Sequence, residues 1–164
     1  MGVRLFMQVD SVTGESEDDQ HTGWTDIKSF SWGASQPGAM SNGSGGNAGM
    51  ARFNDLVVVA YMDKGTAAIL QKCVTGAHLP SVVISACKSG GKKIEFMRVT
   101  LKEVLVTTAQ VAGADPGDGA ERLLMHYGFQ AAQVKKQYWE QQNDGSKGAE
   151  VSAGWDIKKN AEMA

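Results

Sequence analysis

Hydrophobic residues along this chain alternate far more often than they recur at helical spacing. Val3, Leu5, Met7 and Val9 share one parity, which predicts a strand over 3–9. A polar stretch from Gly14 to His21, rich in acids and turn formers, follows it. Strand character resumes from Trp24 to Trp32, with Phe30 and Trp32 on one face and Ser29 and Ser31 on the other. The β-branched run from Arg52 to Met62 predicts another strand. Pro80 to Cys87 and Lys92 to Val111 read as two more, joined by a hairpin turn at Ser89-Gly90-Gly91. The second of these is too long to stay flat, so a bend or bulge is expected near Thr107. Leu123 to Tyr138 reads as a strand pair or one bulged strand, with Met125, Tyr127 and Phe129 alternating. Asn143-Asp144-Gly145 is the clearest hairpin turn, and a last strand carries Val151, Trp155 and Ile157.

One segment reads as a helix. Ala67, Leu70 and Val74 recur at helical spacing, Asp63 or Thr66 can cap the start, and Gly76 ends it. A single helix among about eight strands with regular turn signals predicts a β-sandwich or barrel with the helix against its side.

The loop from Gly33 to Gly49 breaks this pattern, with six glycines in seventeen positions between two strands. A compact domain rarely keeps so long a structureless connection without a use for it. Such a segment buries too little apolar surface to order itself, so a partner subunit is the simplest agent that could. Gly43 to Ala48 fits the loose G-x-G-x-x-[GA] pattern, but a dinucleotide site needs that pattern to open a helix. Here a strand follows, which argues against nucleotide binding.

At 164 residues the chain reads as one domain, 1–164, large enough to bury a core. Sixteen basic against eighteen acidic residues leave a net charge of −2, and the basic clusters are only pairs. Nucleic acid therefore has no electrostatic footprint to bind. The start, MGVRLFMQVD, alternates and shows neither a signal peptide nor a membrane span, so synthesis and folding in the cytosol are expected. Cys73 and Cys87 suit a reducing compartment as small buried hydrophobes rather than as a disulfide.

Candidate chemistry is sparse. His21, His78 and His126 lie far apart, and no cysteine pairs with one at zinc-ligand spacing. Asp115, Asp118 and Glu121 lack the spacing of a calcium loop and fit turn chemistry better. Glu15 with Asp18 or Asp19 could be a carboxylate pair or a solvated acidic turn. No serine sits in G-x-S-x-G, and no Cys–His pairing is evident. No metal, cofactor or catalytic group is expected. The pattern points to an assembly or binding protein.

Several fragments, in order along nearly the whole chain, resemble the haemolysin-coregulated protein family, the tube subunit of type VI secretion. They are MGVRLFMQVD, Val12 to Ser16 with Asp18 and His21, Phe30-Ser31-Trp32-Gly33 and the glycine-rich loop. Asp55-Leu56, Tyr61 to Lys64, Thr100 to Val106, Tyr138 with Gln141 and Asp144-Gly145, and Gly154 to Ile157 complete the set. Lys136 stands where the family more often has an apolar strand residue, and Trp139-Glu140 where small residues or proline are usual.

The resemblance implies a β-barrel of two packed antiparallel sheets with one flanking helix and a protruding loop over about residues 38–49. It implies a non-enzymatic subunit whose hexameric rings stack into a hollow tube, carry effectors, and are secreted with a tip spike through a contractile sheath. On that reading the loop residues Met40, Ser41, Asn42, Gly43, Ser44, Gly45, Gly46, Asn47, Ala48 and Gly49 contact the adjacent subunit or the next ring. Ser29 and Ser31, opposite Phe30 and Trp32, either line the channel or face outer solvent. Whether Lys102, Lys135 or Lys136 joins them sets the channel's charge. The rival reading is a monomeric barrel that holds a small ligand in its own cavity.

Overall fold

The computed structural model describes residues 2–39, 47–48, 50–90, 93–113, 115, 117, 119 and 121–163. In chain order the elements are β1 (Val3–Val9), β2 (Thr25–Ser31), β3 (Ala34–Ser35), β4 (Gly38–Ala39), β5 (Asn47–Ala48), β6 (Arg52–Phe53) and β7 (Leu56–Tyr61). Then come α1 (Thr66–Thr75), β8 (His78–Lys88), β9 (Glu95–Ala112), β10 (Leu124–Gln141), β11 (Lys147–Asp156) and β12 (Ala161–Met163). Eight strands form one sheet in the order β12-β11-β10-β7-β2-β1-β8-β9, and β9 also pairs with β10. That last pairing closes six strands into a barrel, so the packed antiparallel layers are opposite walls of one continuous sheet.

The strand β10 has two partners on one side. Its first half, Leu124 to Phe129, pairs with β7, and its second half, Gln133 to Gln141, pairs with β11. The sheet therefore runs on past the barrel as β10-β11-β12. Among the described residues β12 covers only Gly154 to Asp156, which leaves Lys147 to Ala153 of β11 with an open side.

Strands of 18 residues cannot stay flat around a barrel, and β9 is interrupted twice. Gly128 faces Thr108 while Phe129 faces Val106, so Thr107 is the extra residue of a bulge at the expected place. Its hydroxyl donates to the Asp55 carboxylate at 2.9 Å, which turns the side chain out of the ladder. A second break lies at Glu103, whose φ of 52° is left-handed. Leu79, Val104 and Ala131 pack inward on one side of it; Val82, Leu101 and Val134 do so on the other. Three neighbouring strands thus change phase together, and each keeps its apolar side in the barrel.

Met7, Val9, Leu56, Val58, Ile84, Leu101, Tyr127 and Phe129 fill the barrel interior. Full burial of each such side chain stabilises by about 1.5–3 kcal/mol, which makes this the main driving term. The first strand matches the predicted parity at Met7 and Val9, but Val3 is exposed beyond the core. Phe6, of the opposite parity, is buried too, because it stacks on His21 outside the barrel.

The helix ends at Gly76 in a left-handed conformation with φ 67°, which glycine adopts without a Cβ penalty. Its N-cap residue is Gly65, not Asp63 or Thr66; the Asp63 carboxylate instead accepts from the Gly65 N–H at 2.9 Å. Ala67, Leu70 and Val74 do share a face, but it is exposed, and the buried helix residue is Ile69.

Two expectations need correction. The predicted strand from Arg52 to Met62 is split at Asn54-Asp55 into β6 and β7. The segment after Gly33 is also more regular than a structureless loop. Ala34-Ser35 pairs with Arg52-Phe53, and Gly38-Ala39 pairs with Asn47-Ala48, which makes it a β-ribbon arm. Met40, Ser41, Asn42, Gly43, Ser44, Gly45, Gly46 and Gly49 lie outside the described residues.

Gly128 has no room for a side chain, since a Cβ there would lie 2.8 Å from Thr107 Oγ1 and 3.2 Å from the Thr108 Cβ. Gly128→Ala should lower stability by about 1–3 kcal/mol, the cost of overpacking. Urea unfolding followed by tryptophan fluorescence checks it, and an unchanged midpoint would contradict the bulge.

Candidate functional site

Ser29 and Ser31 reach the outside of the barrel through a bulge. Ile27 faces Ala60 but Ser29 faces Val59, so Lys28 is the extra residue of β2. After that step Phe30 pairs with buried Val58 and packs against the core with Trp32, as parity predicts. Ser29 and Ser31 are exposed on the opposite face.

The ladder carries that face across four strands. One row is Ser31, Val57, Gly128 and Thr108; the next is Ser29, Val59, His126 and Gln110. Hydroxyls, an amide, an imidazole and small apolar groups make up this wall, with no Asp, Glu, Lys or Arg in either row. Val57 keeps 45% of its surface exposed, and His126 is half-buried. Thr108, Gln110 and His126 were not picked out from sequence as neighbours of the serines, because only the register places them there.

The lysines separate by the same logic. Lys102 and Lys135 alternate with the buried Leu101 and Val134, so they point away from the interior. Lys136 has the interior parity, in the cross-strand row Met7, Ile84, Val99, Lys136 and Ala153. A position that would otherwise read as apolar thus carries a charge.

The polar stretch after β1 is more than a solvated turn. It is fastened at two points. At the first, the Glu15 carboxylate accepts from the Lys64 N–H at 2.8 Å while Asp63 accepts from the Glu15 N–H at 3.3 Å. This reciprocal clasp ties it to the entrance of α1. Burial raises the Asp63 carboxyl above its ordinary range, and hydrogen bonds from Gly65, Thr25 and Glu15 only partly offset that.

The second point is a buried polar cluster on the outer wall of β8. His21 Nδ1 meets Asp18 Oδ2 at 2.8 Å, and its Nε2 meets Ser85 Oγ at 3.1 Å. The Ser85 hydroxyl donates to Glu95, which is also paired with Arg98 at 2.9 Å and Lys147 at 3.6 Å. Cys87 Sγ lies 3.9 Å from the same imidazole nitrogen, and burial pushes its thiol up, so it is an inert neighbour. Phe6 stacks on the imidazole at 4.2 Å and Trp24 meets it edge-on at 4.7 Å.

Serine, histidine and aspartate here have the connectivity of a hydrolytic triad, which sequence spacing did not reveal. Ser85 is nonetheless 0% exposed and its proton is directed at a carboxylate, so no substrate atom can approach it. The cluster fastens a segment rather than activating a nucleophile. Both cysteines are free, and no group of three metal-ligating side chains occurs among the described residues.

The class these elements define is a closed six-stranded antiparallel barrel with one side helix and a β-ribbon arm. The comparisons make this specific. Residues 6–140 match the family described as type VI secretion system effector, Hcp. The chain is 37% identical to the Hcp1 protein of Pseudomonas aeruginosa over 99% of each sequence. It therefore belongs to the Hcp family of type VI secretion proteins. A solved type six secretion system protein superposes with a TM-score of 0.91 at 28% identity, covering 99% of this chain and 100% of that one. Hcp1 from Salmonella typhimurium does so with 0.81 at 25% identity, with the same coverage.

The Asp18 carboxyl is pushed up by burial, but hydrogen bonds from His21, Lys93 and the Gln20 backbone outweigh this and hold it below its ordinary range. A depressed carboxyl adds stability above its unfolded value near 3.8, and that stability is lost as pH falls through the folded value. Asp18→Asn should cost about 1–3 kcal/mol at pH 7 and flatten the decline in the acid range below pH 4. Urea titrations at several pH values between 2.5 and 7 test both parts.

Proposed function

We propose that this chain is a structural subunit of the type VI secretion tube, forming hexameric rings that stack into a hollow conduit. The observation that carries the reading is family membership over nearly the whole chain, joined to a barrel whose interior is already filled. A ring is heterologous association that closes, so two different faces of each protomer meet. The uncharged wall bearing Ser29 and Ser31 is the candidate channel lining, where small hydroxyls leave space and permit weak, reversible contacts with effector proteins. Six-fold repetition raises such contacts to useful strength. The arm at Gly38–Ala39 and Asn47–Ala48 reaches to a neighbouring subunit or the next ring, an ordering cost offset on assembly. Export with effectors, beside a tip spike and inside a contractile sheath, completes the reading; no catalytic step belongs to it.

The rival reading, a monomeric carrier with a ligand inside the barrel, conflicts with the packing. A ligand there would have to displace Met7, Leu56, Tyr127 and Phe129, each at most 1% exposed.

Size-exclusion chromatography with light scattering should give a particle of six protomers at micromolar concentration; a stable monomer would reject the ring. Negative-stain images should then show rings of uniform diameter with an open centre.

Two variants separate the surfaces. Ser31→Gln should leave the ring intact and reduce retention of co-expressed effectors several-fold. Deleting Asn42 to Ala48 should leave a folded protomer but impair stacking, and unchanged tube formation and secretion would remove the arm from that role.

A further inference from the structure

Lys136 sits at a groove that none of the described residues fills. The groove has a volume of about 650 Å³ and lies between the base of the arm and the β10-β11-β12 extension. Trp32 and Phe53 form one wall, Val134 and Trp155 the other. Lys136 lines it from a row that is otherwise apolar, and its ammonium makes no ion pair or hydrogen bond with the described residues. Glu162 lines the same groove without pairing with it. A cation placed against aromatic walls gains when a carboxylate covers it and both lose water.

The opposite charge lies on the outer face of the barrel wall, in the segment after β1. A second cleft is lined by Glu15, Glu17, Asp18, Asp19 and Asp26, with Arg4 and Lys93 as its cations. Asp18 is taken up by His21, Arg4 and Lys93, Asp26 pairs with Arg122, and Glu15 holds the Lys64 N–H. Glu17 is exposed and makes no ion pair with the described residues. Lys136 on β10 and Met7 on β1 share one cross-strand row, three strand spacings or roughly 14 Å along the sheet, and the acidic segment packs on the opposite, outer face beside Phe6. A closing head-to-tail contact needs complementary features placed on different faces in this way.

We propose that the Lys136 groove is an interface between copies of this chain, occupied by the acidic β1–β2 segment of a second copy with its Glu17 against Lys136. The proposal rests on the ring reading above and names the contact that would hold neighbouring subunits together. The aromatic walls shield the ion pair from solvent, so its contribution exceeds that of a surface pair.

Charge reversal tests it. Lys136→Glu and Glu17→Lys should each raise the concentration for half-assembly at least tenfold, measured by light scattering over a dilution series. The combined variant should return to within about threefold of the unchanged protein, as a direct pair requires. Lys136→Met, which keeps the side-chain length, should stay folded by thermal melting and show a weaker salt dependence of assembly.

If the unchanged protein never forms a ring, the ring reading fails and this inference falls with it. If rings form but Lys136→Glu leaves their dilution curve unchanged, the groove is not the interface. If both single variants weaken the ring and the double variant does not recover, Glu17 is not the partner, and the proposal as stated is overturned.

Discussion

The ladder between β9 and β10 is the constraint on which the rest of this fold depends. It turns a run of antiparallel strands into a closed wall, and it is the longest pairing in the chain. Because β10 is longer than β7, closure uses only the first half of it on that side. The second half is left to pair with β11. One strand therefore belongs to the barrel and to the extension at once, and the groove beside Trp155 exists because the two part company there. The bulge at Thr107 and the left-handed Glu103 let such long strands curve without turning apolar residues into water.

Much of the barrel was legible because strands write their environment with a period of two. Phe30 against Ser29 and Ser31 could be assigned from parity alone. So could the strain on β9, since length and twist together require a break. The short β12 left no trace, because three residues cannot establish a period. The arm looks structureless in the sequence because glycine, alanine and serine carry no pattern. Its pairing is a backbone matter that side chains do not announce. Helix α1 was placed by its terminal glycine, yet its apolar spacing marked the exposed face, since a short helix on a barrel rests on few residues.

Contacts between distant parts of the chain were beyond the reach of spacing. His21 finds Ser85 64 residues away and Cys87 66 residues away. Proximity there is created by the β1–β8 pairing, so the histidine looked isolated until the sheet was closed. Glu15 and Asp63 show the same thing on a smaller scale. Asp63 accepts from the Glu15 N–H and Glu15 from the Lys64 N–H, and neither carboxylate reads as structural without the other segment. The outer wall follows a similar rule. Ser29 and Ser31 were visible as a pair, whereas Thr108, Gln110 and His126 join them only through register.

The open side of β11 has a bearing on the life of the protein as it is made. From Lys147 to Ala153 the strand offers backbone groups unpaired among the described residues, and Val151 beside them is 69% exposed. Such an edge accepts any extended chain, including a misfolded sister emerging from the ribosome. Lys147 and Glu150 place charge there, which discourages careless pairing without forbidding it. Synthesis rate then becomes a physical variable: the faster the protein is made, the more the fate of this edge depends on who arrives first.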